Sequence, residues 1–183
     1  MGVFSLESAV GERRRPDDAR ELLVLTQASL RAWDRVLWLS CGDGWGPEEA
    51  WRRMRKGYVC GLDRSLEQVS QAHQLRAVPH TLEFRCWDGC AVPWPARSFN
   101  HVISCEAISA SPHPETLVSE ISRVLVAAGS LSVVEVSEIS VPTSAATTTV
   151  SHLLAMLVNA GFAQADCVRT GDGWLLASAR QPA

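Results

Sequence analysis

Apolar and polar positions along the chain fall into two alternating patterns. Short runs rich in apolar residues read as strands, and the first, nearly continuous, as one covered on both faces. They occupy 35–40 (RVLWLS), 58–62 (YVCGL, followed by Asp63), 82–86 (LEFRC), 101–105 (HVISC) and 130–136 (SLSVVEV). Between them lie helix-like stretches. The first is predicted from Asp17 or Asp18, acids suited to a helix N-terminus, to about Ala32, with Leu22, Leu23, Leu25 and Leu30 on its apolar face. The second, 47–56, opens on Pro47 with Glu48 and Glu49 in its first turn. The others are 66–76, 114–127 closed by Gly129, and 150–160 with Gly161 just past its end. Two last strands, 163–169 and 174–179, flank Thr170-Gly171-Asp172-Gly173, where Asp-Gly favours a hairpin.

Strands alternating with helices predict βαβ units. The fold class is therefore α/β: a doubly wound, mostly parallel seven-stranded sheet ending in an antiparallel hairpin. At 183 residues the chain is predicted to be a single domain over 1–183, with 1–16 as a flexible arm ending in Arg13-Arg14-Arg15-Pro16. The polar stretch 137–149 (SEISVPTSAATTT) reads as a mobile loop.

Composition narrows the function. With 46% hydrophobic and 20% charged residues, disorder is excluded. A net charge of −3 argues against a nucleic-acid partner or an anionic membrane. No apolar run nears the roughly 18–20 residues that span a bilayer, and Met1 to Glu12 lacks the basic start of a secretory signal. Cys86 and Cys90 form C-x3-C, but no second Cys/His pair follows at zinc spacing, so no metal site is predicted. Cys41, Cys60 and Cys105 lie in apolar runs, as free thiols do in a reducing cytoplasmic setting.

In an open parallel sheet, ligands bind beyond the C-terminal strand ends. The turn after the first strand, Gly42-Asp43-Gly44-Trp45-Gly46, lets a backbone approach a ligand and aims a helix N-terminus at it. Asp63 ends the second strand, where an acid accepts hydrogen bonds from ribose hydroxyls, and Asp88 follows the third. Each acid alone could instead cap a helix. Together they point to a nucleoside-type ligand.

These residues resemble class I S-adenosylmethionine-dependent methyltransferases of the small-molecule type. VLWLSCGDGWG is similar to that family's V-L-D-L-G-C-G-x-G, and YVCGLDRSLEQVSQA to its second motif. The run Cys86-Trp87-Asp88-Gly89 through Pro93-Trp94 and Ser98-Phe99-Asn100-His101-Val102-Ile103 resembles G-D-A-x-x-L-P-F … S-F-D-x-V. Glu120-Ile121-Ser122-Arg123-Val124-Leu125 … Gly129 resembles E-x-x-R-V-L-K-P-G-G. The resemblance implies a Rossmann-like fold and S-adenosylmethionine as cofactor. It implies Gly42 and Gly44 against the methionine part, Asp63 on the ribose, Leu62 and Arg64 flanking the adenine, Asp88 on the adenine amino group with Gly89 beside it, and Cys105 and Glu106 near the sulfonium. No catalytic base is implied, because positioning an acceptor does most of the work.

The departures fall in the cofactor pocket. Trp38 stands where the family has an acid that helps anchor the cofactor's ammonium, and Ser40 replaces the first loop glycine. Asn100 and Ala127-Ala128 replace an Asp and a Lys-Pro. Trp38 and Ser40 point to one face of the strand, so cofactor binding is expected to be weak or absent. Two readings follow: methyl transfer to a small-molecule substrate, or an inactive methyltransferase-like module that binds a protein partner. A nicotinamide dehydrogenase is a third, but the loop lacks G-x-G-x-x-G. Among the aromatic residues, Trp45 and Trp87 are best placed to stack on a ligand, and His113 is read as a loop or cap residue rather than a base.

Overall fold

A computed structural model describes residues 16–136 and 149–183. The arm 1–16 and the loop 137–149, apart from Pro16 and Thr149, lie outside the described residues. In chain order the elements are α1 (Pro16–Gln27), β1 (Arg35–Leu39), α2 (Trp45–Met54), β2 (Tyr58–Asp63), α3 (Leu66–Arg76), β3 (Leu82–Cys86) and β4 (Phe99–Cys105). They continue with α4 (Pro114–Val124), β5 (Leu125–Val136), α5 (Val150–Asn159), β6 (Gln164–Arg169) and β7 (Trp174–Arg180). The seven strands form one sheet in the order β3-β2-β1-β4-β5-β7-β6. The first five are parallel, and β7 runs antiparallel to both β5 and β6. The doubly wound sheet and its terminal hairpin are as the sequence pattern predicts.

Alternation along each strand builds two cores. On one face Leu37 and Leu39 of β1 pack with Leu117, Ile121 and Val124 of α4 and Leu153 and Leu157 of α5. On the other, Val36 and Trp38 pack with Leu25 of α1, Ala50 and Met54 of α2 and Ala72 of α3. This explains why β1 reads as continuously apolar: both faces are covered. Among the described residues, no helix is long and apolar enough to cross a membrane.

Several boundaries differ from the sequence pattern. Helix α1 stops at Gln27 rather than near Ala32; the chain turns there, and Asp34 accepts the Arg31 N–H at 2.7 Å. Helix α2 begins at Trp45, two residues before Pro47, with left-handed Gly44 as its N-cap. Strand β4 begins at Phe99, not His101. Helix α4 ends at Val124 rather than Ala127 and β5 begins at Leu125 rather than Ser130, so Gly129 is not the helix stop. The amides of Arg97 and Ser98 donate to the carbonyls of Arg123 (3.0 Å) and Val124 (2.8 Å), and Leu125 is free to pair with Phe99. Residues 126–129 then bulge before pairing resumes at His101 and Ser130. Gly129 is needed in that bulge, because a Cβ there would lie 2.8 Å from the Val126 carbonyl.

The E-x-x-R stretch has a structural use. Arg123 donates to the carbonyls of Val92 (2.9 Å) and Trp94 (2.8 Å), and Glu120 accepts the Val92 N–H (3.1 Å) while pairing with Arg123. This holds the loop after β3 against α4. The Arg123→Ala variant is expected to lose about 2 kcal/mol of stability, since charge-assisted bonds contribute roughly 1.5–3 kcal/mol each and these are partly exposed. Urea denaturation reads the loss; an unchanged midpoint would contradict the clamp.

Candidate functional site

The chain leaves β1 toward β2 and later returns to place β4 on the other side of β1, so strand order reverses between β1 and β4. Ligand clefts open at such a point. The loop after β1 is shaped by left-handed residues at Ser40 (φ 56°), Gly42 (φ 52°) and Gly44 (φ 84°). A Cβ on Gly42 would meet nothing within 4 Å, so its α-carbon faces open space. Gly44 does something else: a Cβ there would strike the Phe84 ring at 2.6 Å. Its task is to let the loop pack on β3 and α3.

Asp63 ties this loop to the next one. Its carboxylate accepts the Gly42 N–H at 2.8 Å through Oδ2 and the Ser65 N–H at 2.9 Å through Oδ1. Each oxygen keeps a lone pair for a further donor. Ser65 in turn caps α3 by accepting the Gln68 N–H. From behind, Arg76 donates to the Asp43 carbonyl (3.0 Å) and pairs with Glu48 at the start of α2. The glycine loop is thus held from three sides.

A cavity of about 420 Å³ opens over these strand ends. Its walls come from Arg20 and Glu21 of α1, from Ser40, Gly42 and Asp43 after β1, and from Asp63 and Gln68. Cys105, Glu106 and Ala110 close it beyond β4. Four of the sequence-derived candidates therefore meet in one cleft: Gly42, Asp63, Cys105 and Glu106. Arg20 pairs with Glu106 across the mouth, and its guanidinium also lies 5.4 Å from the centre of the Trp174 ring. Burial pushes the Cys105 thiol well above its ordinary range, so it stays protonated and is no nucleophile. A larger hollow, about 600 Å³, lies over the starts of β4 and the neighbouring face of β5, β7 and β6. It holds none of the residues at the parallel strands' C-terminal ends.

The remaining candidates sit to one side. Leu62 is buried in the core. Asp88 is exposed; its Oδ1 accepts the amides of Cys90 (2.8 Å) and Ala91 (2.9 Å), which lowers its pKa and leaves Oδ2 outside that turn. Arg64 lays its stem against Gly89, where a Cβ would lie 2.9 Å from its Cδ, and donates to the Ala110 carbonyl at 3.0 Å. Ser111 donates to the Gly89 carbonyl at 2.8 Å. The loops after β2, β3 and β4 are therefore joined beside the cavity. Trp87 packs on the core, and His113 is the exposed N-cap of α4, making no side-chain cap bond. Asn100 keeps the acceptor of the acid it replaces, since its Oδ1 takes the Arg35 N–H at 2.9 Å.

Trp38 does not line the cavity. It is fully buried beneath Gly46 of α2, and its Nε1–H has no partner among the described residues. The sequence missed Arg20, Glu21 and Glu135. Glu135 of β5 is buried and accepts the Ile108 N–H (3.0 Å) and the Ser109 hydroxyl, fixing the loop that carries Glu106 and Ala110. Burial pushes its carboxyl up from 4.5 to about 7. Between those values the unfolded chain has released a proton that the folded chain keeps, so Glu135 subtracts stability as pH rises from about 4.5 to 7. His101, buried and lowered from 6.5 to about 4, has the opposite slope over its own range. In Glu135→Gln, stability relative to the wild type is expected to rise by roughly 3 kcal/mol between about pH 4.5 and 8. Denaturation at the two pH values measures it; a constant difference would contradict a buried, neutral Glu135.

Comparison with known proteins agrees with this fold. Residues 37–133 match the family model described as a methyltransferase domain. Over 106 residues the chain is 32% identical to the phthiotriol/phenolphthiotriol dimycocerosates methyltransferase of Mycobacterium leprae; the match covers 58% of this chain and 38% of that protein. The match thus spans well under half the length of that relative. Among solved structures, an S-adenosylmethionine-dependent methyltransferase from Aquifex aeolicus superimposes with a TM-score of 0.77 at 17% identity, covering 91% of this chain and 93% of that one. A methyltransferase complex with the Trm112 activator of Haloferax volcanii gives 0.75 at 21% identity, covering 91% and 94%. At these identities the structures bear on the fold.

Proposed function

The chain belongs to the methyltransferase domain family, and from that premise we propose that its cleft binds S-adenosylmethionine for methyl transfer to a small-molecule acceptor. The observation that carries the reading is the Asp63 carboxylate, held by the Gly42 and Ser65 amides at the wall of the cavity with lone pairs to spare. The open α-carbon of Gly42 beside it suits close approach by a ligand. The residues fit the cofactor: Asp63 would take the ribose hydroxyls, Asp88 and Gly89 the adenine edge, Arg64 its face, and Gly42 the methionine part. The bound cofactor supplies a methyl group activated by its sulfonium. What the chain itself contributes is orientation, with Glu106 and Arg20 paired at the mouth where an acceptor would enter. The curated relative is named for a dimycocerosate acceptor rather than for a protein or nucleic acid, which favours a small acceptor.

A second reading, a family member that binds a protein partner without transferring methyl, is favoured by Trp38. A buried indole stands in place of an acid, and its N–H has no partner among the described residues. Incubation with radiolabelled S-adenosylmethionine and a fractionated cell extract separates the two. Label is expected in the low-molecular-weight fraction. Label in protein or nucleic acid would overturn the small-molecule acceptor, and no transfer despite cofactor binding would favour the second reading.

A further inference from the structure

We infer that Glu21 of α1 binds the α-ammonium of the cofactor, so that the ammonium anchor lies on the first helix instead of the first strand. The inference rests on the cofactor reading above. An ammonium only donates hydrogen bonds and needs acceptors, preferably charged ones. Trp38 can supply none: an indole has a single donor and no acceptor, and this one is sealed beneath α2. Glu21 reaches the same corner from the opposite side. A Cβ on Gly46 would lie 2.6 Å from Trp38 Cη2 and 3.0 Å from Glu21 Cδ, so indole edge and carboxyl converge on one point in the first turn of α2. The positive end of that helix favours a carboxylate there.

The placement relative to the cavity is equally specific. Glu21 lines the same cavity as Ser40, Gly42 and Cys105. Its charge contributes to raising the thiols of both Cys41 and Cys105, which flank the point where strand order reverses. Glu106, which also lines the cavity, pairs with Arg20. Replacing the strand acid with Trp therefore enlarges the core under α2, while the negative charge enters the cleft from α1. Helix α1 then belongs to the cofactor site, although the resemblance places no ligand contact there.

The test compares two ligands on the intact protein. S-adenosylhomocysteine carries the ammonium; 5′-methylthioadenosine shares the nucleoside and thioether but lacks the amino-acid end. In Glu21→Gln, affinity for S-adenosylhomocysteine is expected to fall roughly thirtyfold, as for loss of a partly buried charge partner. Affinity for methylthioadenosine should stay within about twofold, and Glu21→Asp should recover part of the loss, because a merely structural role would weaken both ligands alike. Equal losses for the two ligands, or no loss, would overturn the role of Glu21 and leave the cofactor reading standing. A folded wild type that binds neither ligand would overturn both. Should Glu21→Gln not fold, the wild type is titrated with deaminated S-adenosylhomocysteine; equal affinity with and without the amino group overturns the inference.

Discussion

Asp63→Ala should abolish measurable cofactor binding and loosen the glycine loop in one step. The carboxylate accepts two backbone amides, Gly42 N–H at 2.8 Å and Ser65 N–H at 2.9 Å, and its removal leaves both without an acceptor. An orphaned, partly buried amide costs about 1–3 kcal/mol, so a stability loss of roughly 2–4 kcal/mol is expected. Binding should lose about 2–5 kcal/mol more if both ribose hydroxyls bond the carboxylate, a factor of about thirty or greater in affinity. Asp63→Asn separates the effects. It keeps one acceptor oxygen for the backbone but presents an amide N–H₂ where the other oxygen stood. Binding should fail in Asn while much of the stability survives. Calorimetric titration and urea denaturation read the two quantities, and unchanged affinity in a folded Asp63→Ala would rule out this carboxylate as the ribose ligand.

Trp38→Ala should be the most destabilising single change in the first motif, at about 3–5 kcal/mol, since truncating a fully buried Trp removes both transfer energy and packing. Its ring is the floor on which Gly46 lets α2 descend. The same contact changes the expectation for restoring the family's acid. Trp38→Asp combined with Ser40→Gly would place a carboxylate in the void under α2, beside Glu21 and with little water. A buried unpaired charge costs several kcal/mol, and two neighbouring carboxylates resist joint ionisation. The double variant is therefore expected to melt well below the wild type. Ser40→Gly alone should be tolerated, because residue 40 already sits at a φ of 56°, where glycine is unstrained. Melting temperatures of the three variants test this ranking; a double variant as stable as wild type would mean Trp38 is not the packing element described.

The βα alternation and the terminal Asp-Gly turn made the sheet and its last hairpin legible, because each strand's periodicity reports local burial. The end of α4 was not legible. Residues 125–127 suit a helix by composition, and only the amides of Arg97 and Ser98, brought in from a distant loop, turn Leu125 into strand. The site divides the same way. Gly42, Asp63, Cys105 and Glu106 lie at or just past strand ends and converge as their positions implied. Glu21 lies on a helix whose crossing over the cleft is a tertiary fact with no local signal. Glu135 reads in sequence as one more strand residue, and its hold on the loop at Ile108 and Ser109 appears only once β5 is placed beside β4. That Gly44 also lets the loop pack on Phe84 appears only in the folded chain.

The cleft is expected to hold S-adenosylmethionine. Calorimetric titration of the folded wild type with S-adenosylmethionine, S-adenosylhomocysteine and NAD tests it most directly. With Glu21 substituting imperfectly for a strand acid, both sulfur ligands are expected to bind at about tens of micromolar, some 2 kcal/mol short of a micromolar site, and NAD not at all. Absence of binding by either sulfur ligand up to roughly millimolar concentration would contradict the claim, and would leave a methyltransferase fold whose cleft serves something else.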